Sequence, residues 1–390
     1  MKFLVYLTVV GIVCFHLIVI YYDVVVSLYE RYSCFHMGRQ TDEEKWTSSV
    51  KRVCQKWLKR TPTLRIKKEC RYILWDRIRC KYGKKMVQSW QKAGCLLGLE
   101  ETSSGASFLD VAKKQTLAPD GNWKRPVDKI DYGMMAYALL KSEKDPSSIK
   151  PAMDDVARCI QDNVCSDGMV SYTQGRQSFR RYVDTLGFVC PFLGEYGRAY
   201  SDPSKIDFAF DQIAKFREIG GLSHGLPYHC VRSDNGLPLS VLGWGRGVGW
   251  YSLALVDLFP SISCPEQKRL LKEWIAELAE TLIRYERMDG GFSSIVQGDC
   301  PYDSSATAIL GYFYARSSQI LNDVRLQEIA VRCCKKLMKK TKINGVVDEC
   351  QGDTIDVGII SEKYGEMPFA QGFTLRLAEV IGFRNHVRQS

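Results

Sequence analysis

Four places in this 390-residue chain bring together side chains able to do chemistry. The densest is WGRGVGW, Trp244 to Trp250, in which Arg246 and three glycines lie between two tryptophans. Tryptophan offers flat apolar faces that suit a sugar ring, and an arginine fork holds a carboxylate through paired hydrogen bonds. Together they point to an acidic sugar. The bland alternative is two core tryptophans and an arginine paired inside the protein. Asp131 and Asp184 each stand at the start of an apolar helical pattern, where paired carboxylates divide proton donation and water activation across a cleft. An Asp in that position also serves as a plain N-cap, so both readings stand. His229 lies with His224 in GGLSHGLPYHC, a loop by its glycines and proline. It would face a bound hydroxyl or leaving group, or else be structural. The His-x4-His spacing lacks an internal acid and no cysteine pair completes it, so a metal site is not expected.

These groups must be positioned by helices. Apolar residues recur at three- and four-residue spacing over 132–143, 191–200, 249–259, 266–287, 303–321 and 325–341. Some of the helical stretches are rich in Gly, Ala, Ser and aromatics, marked by Gly94, Asp131, Asp184, Gly247, Ser304 and Ala370. Their spacing of 37 to 66 residues leaves room for one charged helix in each interval. The first type suits close packing on all sides, the second a solvated outer face. Six such hairpins predict an all-α chain closed as an (α/α)6 barrel, with an open helical solenoid or an irregular bundle as the alternatives. The N-terminal ends of the inner helices then share one mouth, and Asp131, Asp184, Arg246 and Asp303 converge there.

Phosphate-loop and dinucleotide signatures are missing, which argues against NTPase and redox chemistry. The net charge of +10 is unevenly placed. Residues 31–85 hold 17 basic and 5 acidic side chains, while 86–390 balance to about −1. No nucleic-acid recognition motif accompanies the basic stretch, whose Trp57 and Trp75 also fit an amphipathic helix. Upstream, Phe3 to Tyr22 carries no formal charge, and 20 helical residues span about 30 Å, enough for a bilayer core. The expected division is therefore a membrane anchor over 1–30, a basic juxtamembrane helical segment over 31–85 and a barrel over 86–390. A signal peptide is the competing reading of the first segment. The Lys/Arg excess after the span places the large domain in the cytoplasm. Fifteen cysteines without a CxxC pair fit free thiols there.

With these residues on the page, the chain resembles the unsaturated glucuronyl and rhamnogalacturonyl hydrolases, glycoside hydrolase families 88 and 105. The likeness is carried, in family order, by DYG (131–133), VDTLGFVCPFL (183–193), GLPYHC (225–230), WGRGVGW (244–250), YDSSATA (302–308) and YGEMPFAQG (364–372). It implies an (α/α)6 barrel that removes a 4,5-unsaturated uronic acid from the non-reducing end of an oligosaccharide by hydrating a vinyl ether. It implies Asp184 as principal acid/base, Asp131 as second active-site aspartate, and His229, Trp244, Arg246 and Trp250 as substrate contacts. No cofactor or metal is implied; the partners are an acidic oligosaccharide and the membrane. The chain departs from the family pattern in lacking a histidine over 171–183 and in carrying Asp303 where Glu is usual. The alternative expectation is a non-catalytic or altered-specificity carbohydrate-binding barrel in a membrane-associated polysaccharide system.

Overall fold

The computed structural model of the chain describes residues 1–62, 89–102, 105–172, 178–354 and 357–383, with 74, 78 and 175 between them. Most of 63–88, Trp75 included, lies outside the described residues. The described part is almost wholly helical: α1 (Lys2–Phe35), α2 (Glu43–Lys59), α3 (Ser89–Glu100), α4 (Gly105–Thr116), α5 (Tyr132–Ser142), α6 (Lys150–Asp162), α7 (Val183–Ala199), α8 (Pro203–Glu218), α9 (Gly245–Leu258), α10 (Pro265–Ile283), α11 (Ser304–Leu321), α12 (Val324–Lys339) and α13 (Pro368–Val380). Three two-stranded antiparallel ribbons lie between helices: β1 (Arg180–Tyr182) with β4 (Cys230–Arg232), β2 (Leu222–Ser223) with β3 (Leu226–Pro227), and β5 (Cys350–Gln351) with β6 (Tyr364–Gly365).

Six helices form an inner ring. α3 packs on α5, α5 on α7, α7 on α9, α9 on α11, α11 on α13, and α13 returns to α3. Every residue of α9 is buried, as a helix enclosed on all sides requires. The approach is closest where the ring shuts. A Cβ on Gly98 would lie 2.3 Å from the Gly372 carbonyl oxygen, and one on Gly372 would lie 1.9 Å from that of Gly94. Backbone opposes both, so no side-chain movement relieves the clash. Gly372→Ala is expected to lower stability by about 1–3 kcal/mol or more, the cost of an overpacked core, read as a shift in the urea midpoint.

The outer ring is amphipathic. α12 buries Leu326, Ile329, Ala330, Cys333 and Leu337 and leaves Lys335 and Lys339 in water. α2 is built the same way, burying Trp46, Val50, Val53, Cys54 and Trp57, and it packs on α3, α4 and α13 as the sixth outer helix. A boundary drawn at residue 86 from charge therefore cuts through the barrel packing. The basic residues of α2 occupy the solvated side of an integral helix. α7 also starts earlier than its apolar pattern suggests, at Val183, and runs through Pro191. Burial between α5 and α9 outweighs the hydrogen bond that proline removes.

At the end where the inner helices finish, a buried polar cluster ties four of them together. Asp257 of α9 accepts from Arg376 of α13 at 2.8 Å, from Tyr137 of α5 at 2.8 Å and from Tyr312 of α11 at 2.6 Å. Arg376 also donates to Glu101 at 3.2 Å. Burial acts to raise the Asp257 carboxyl, but Arg376 and the other nearby cations, with the Tyr312 hydroxyl, outweigh it and hold the group below the usual carboxylate range.

α1 is long and apolar enough to cross a membrane, and its residues Lys2 to Ile18 are exposed. All cysteines among the described residues are free thiols.

Candidate active site

The three mouth aspartates behave differently. Asp303 is an N-cap: it is fully buried and accepts from the Ser305 backbone N–H at 2.8 Å, from the Ser305 hydroxyl at 2.7 Å and from Gln351 N–H at 2.9 Å. Asp131 holds the cap position of α5 but makes no side-chain cap, and its Oδ1 is buried without a hydrogen-bond partner among the described residues. Asp184 lies inside the first turn of α7, so the helix N-terminus favours its negative charge. The capping explanation thus accounts for Asp303 and leaves Asp131 and Asp184 unexplained as structural residues.

Asp184 meets His229, with Oδ2 and Nε2 3.2 Å apart. The ribbon makes this encounter. β1 pairs with β4 so that Tyr182 faces Cys230, and the Val183 N–H donates to the His229 carbonyl at 3.0 Å. His229 is then packed between Trp244, at 4.7 Å between ring centroids, and Tyr182, at 5.6 Å. Its Nδ1 lies 3.3 Å from the Ser240 hydroxyl. His224, by contrast, sits exposed in the turn between β2 and β3, apart from this cluster.

Two residues not expected from the sequence complete the cleft. Tyr172 packs against Tyr182 at 5.8 Å and Phe188 at 6.2 Å. Burial raises its hydroxyl, and the charges of Asp131, Asp184 and Asp353 raise it further. Asp353 follows β5. Burial raises its carboxyl, Arg246 lowers it and Asp184 raises it. Asp131, Asp184 and Asp353 therefore lie within electrostatic reach of one tyrosine. Periodicity carries no trace of Asp353, which comes from a loop. Its Gly-Asp pair reads as a turn.

Burial pushes the Asp131 carboxyl up to about 6; Lys129 opposes the rise, while Asp128 and Asp353 add to it. Since the native state then keeps a proton that the unfolded chain has lost, stability falls as pH rises from about 4 to about 6. The span corresponds to roughly 3 kcal/mol. Asp131→Asn is expected to remove that loss and leave the protein more stable at pH 7, measured by denaturant melts across the window.

The tryptophan–arginine segment is built differently from the sequence expectation. Arg246 is 1% exposed and donates to the Gln351 carbonyl at 2.7 Å, the Gly352 carbonyl at 2.9 Å and the Ser305 hydroxyl at 3.1 Å. Its guanidinium carbon sits 4.8 Å from the Trp244 ring centroid. The fork is spent on the backbone that carries Asp353. Trp244 donates to the Gln351 side chain at 2.9 Å and is covered by His229 and Arg246. Trp250 is enclosed by Trp90, Phe188 and Phe369. Neither indole offers an open face to a sugar, because the inner ring needs both to fill its centre. The segment forms the floor and wall of the site.

A closed ring of inner helices within outer helices is an (α/α) barrel, here with two aspartates at one mouth that cap no helix. The family model for Glycosyl Hydrolase Family 88 matches residues 85–381, and the chain belongs to that family, within the group of unsaturated glycuronyl and rhamnogalacturonyl hydrolases. Membership places it among glycoside hydrolases acting on uronyl-type sugars. Solved structures share the fold. A possible member of the GH105 family from Salmonella enterica serovar Paratyphi A is 15% identical, with 86% of this chain and 94% of that one covered and a TM-score of 0.69. An unsaturated glucuronyl hydrolase from Bacillus sp. GL1, described as responsible for glycosaminoglycan degradation, is 16% identical, with 85% and 94% covered and a TM-score of 0.63. An unsaturated glucuronyl hydrolase specific for heparin is 14% identical, with 89% and 98% covered and a TM-score of 0.64. No curated protein sequence matches the chain.

Proposed function

We propose that the chain hydrates the 4,5 double bond of an unsaturated uronyl residue at the non-reducing end of an oligosaccharide. The observation that carries this reading is the pair of mouth aspartates, Asp131 and Asp184, which cap no helix and both lie within electrostatic reach of Tyr172. Asp184 in its acid form gives its proton to C4 of the vinyl ether. Water adds at C5 and the Asp184 carboxylate takes back a proton. The hemiketal then collapses, opening the sugar and releasing the shortened oligosaccharide. His229, packed between Trp244 and Tyr182 with its Nε2 3.2 Å from Oδ2, limits where the Asp184 carboxylate can swing, and Asp131, which keeps its proton up to about pH 6, hydrogen-bonds a sugar hydroxyl. With Arg246 committed to the protein, the acidic character of the substrate rests on family membership.

We also take α1 as the membrane anchor, with the barrel on the cytoplasmic side that its Lys/Arg-rich flank favours. The direct test is ultraviolet absorbance. The detergent-solubilised full chain is expected to abolish the absorbance of the conjugated double bond in unsaturated glucuronyl or galacturonyl disaccharides. Saturable binding without loss of absorbance across such substrates would instead establish the second reading, a carbohydrate-binding barrel. The lack of a histidine over 171–183, where the family usually carries one, favours that reading.

A further inference from the structure

The turn between α12 and β5 links α1 to the cleft. Residues Thr341 and Val347 bridge to form a short hairpin whose tip is Lys342, Ile343 and Asn344. Its base is fixed in the barrel: Trp46 donates to the Thr341 hydroxyl at 2.9 Å, and Gln371 of α13 accepts from Val347 N–H at 2.9 Å and donates to the Gly345 carbonyl at 2.8 Å. Its tip is held by the end of α1. Gly38 N–H donates to the Thr341 carbonyl at 2.9 Å, Gln40 donates to the Ile343 carbonyl at 3.3 Å, Asn344 donates to the Tyr29 hydroxyl at 3.4 Å, and the Cys34 thiol donates to Asp348 at 3.8 Å. The barrel is thus pinned to α1 along its last two turns.

That level of α1 has the composition of a membrane interface. Tyr29, Tyr32, Phe35 and Ile343 are 57%, 55%, 72% and 48% exposed. Arg31, Arg39 and Lys339 are exposed beside them, with Asp42 and Glu44 a few residues further on. Aromatic side chains collect at the headgroup level of membrane helices. If Phe3–Tyr22 fills the hydrocarbon layer, Tyr29 lies only about 10 Å beyond its edge along the helix, and less along the bilayer normal once the helix tilts. We propose that the Thr341–Val347 hairpin is a membrane-contact element that seats the mouth end of the barrel on the phospholipid headgroup layer. The proposal rests on α1 being the anchor. Because the hairpin runs directly into β5 and Asp353, the cleft opens at the membrane-proximal end of the barrel.

The test uses the full chain in phosphatidylcholine–phosphatidylserine vesicles whose acyl chains are brominated near the headgroup end. Ile343→Trp is expected to add emission that is mostly quenched. Val324→Trp, at the other end of α12 and 72% exposed, is expected to add emission that is not. Unquenched Ile343→Trp emission from protein that resists alkaline carbonate extraction overturns the docking while the anchor stands. Release by carbonate overturns the anchor and the docking with it. A blue-shifted but unquenched Ile343→Trp signal assigns the surface to a second copy of the chain and likewise overturns contact with lipid.

Discussion

Asp184→Asn lowers kcat on an unsaturated uronyl disaccharide by about 10³-fold, within the range a positioned acid–base group contributes. KM changes little, because the amide keeps the size of the carboxyl and loses only the transferable proton. The variant folds normally: Asp184 caps no helix, and its Oδ2 makes no aligned hydrogen bond despite the 3.2 Å approach of His229. A matched control is Asp303→Asn. There the buried carboxylate holds the Ser305 backbone and hydroxyl and the Gln351 backbone, so stability falls along with activity. Unchanged turnover in Asp184→Asn would remove Asp184 from the mechanism. His229→Gln separates orientation from proton transfer, with a smaller loss of kcat than Asp184→Asn.

The largest stability effect is expected far from the cleft. Asp257→Ala leaves Arg376 buried and charged with Glu101, 3.2 Å from its Nε, as its remaining carboxylate partner, and single removal from such a buried pair costs about 3–5 kcal/mol. Arg376→Met leaves the carboxylate stranded and should cost a similar amount. The double variant should recover much of the loss, since neither charge then remains unpaired. Linkage supplies a second readout. The folded-state carboxyl of Asp257 is depressed, so its contribution is present above the unfolded pKa and lost as pH falls through the folded one. Asp257→Asn removes that acid-side dependence. Urea melts of the single and double variants at two pH values measure both effects, and additive losses would show that the cluster is not a coupled unit.

Much of this architecture was legible because inner and outer helices face different physical demands. Gly94, Asp131, Asp184, Gly247, Ser304 and Ala370, each small or polar, fall on or at the head of an inner helix. The mouth location of Asp131 and Asp184 followed from the same pattern. Whether each was a cap did not, because capping depends on where a carboxylate oxygen points. The roles of Arg246 and Trp250 were hidden for a related reason. A guanidinium fork suits two backbone carbonyls as well as it suits a substrate carboxylate. An indole suits the axis of a ring of helices as well as it suits a sugar. α2 was obscured by counting charge along the chain, which cannot separate the two faces of one helix. Trp46, Val50, Val53 and Trp57 were the signal that separates them.

The seam between α3 and α13 joins the first inner helix of the ring to the last. Gly94, Gly98 and Gly372 meet there backbone to backbone, with 273 to 278 residues between the two sides, as the contacts of Cys95 with Pro368 and Gln91 with Phe369 measure. No partial chain can make this contact. A nascent chain therefore waits with an open, apolar edge along α3 until residues near 368–380 have emerged. Long-range closure of this kind is slow and aggregation-prone. A truncation that removes only α13 is thus predicted to leave an open ring that chaperones retain and proteases clear, even though every residue of the candidate site from Asp131 to Asp353 is still present.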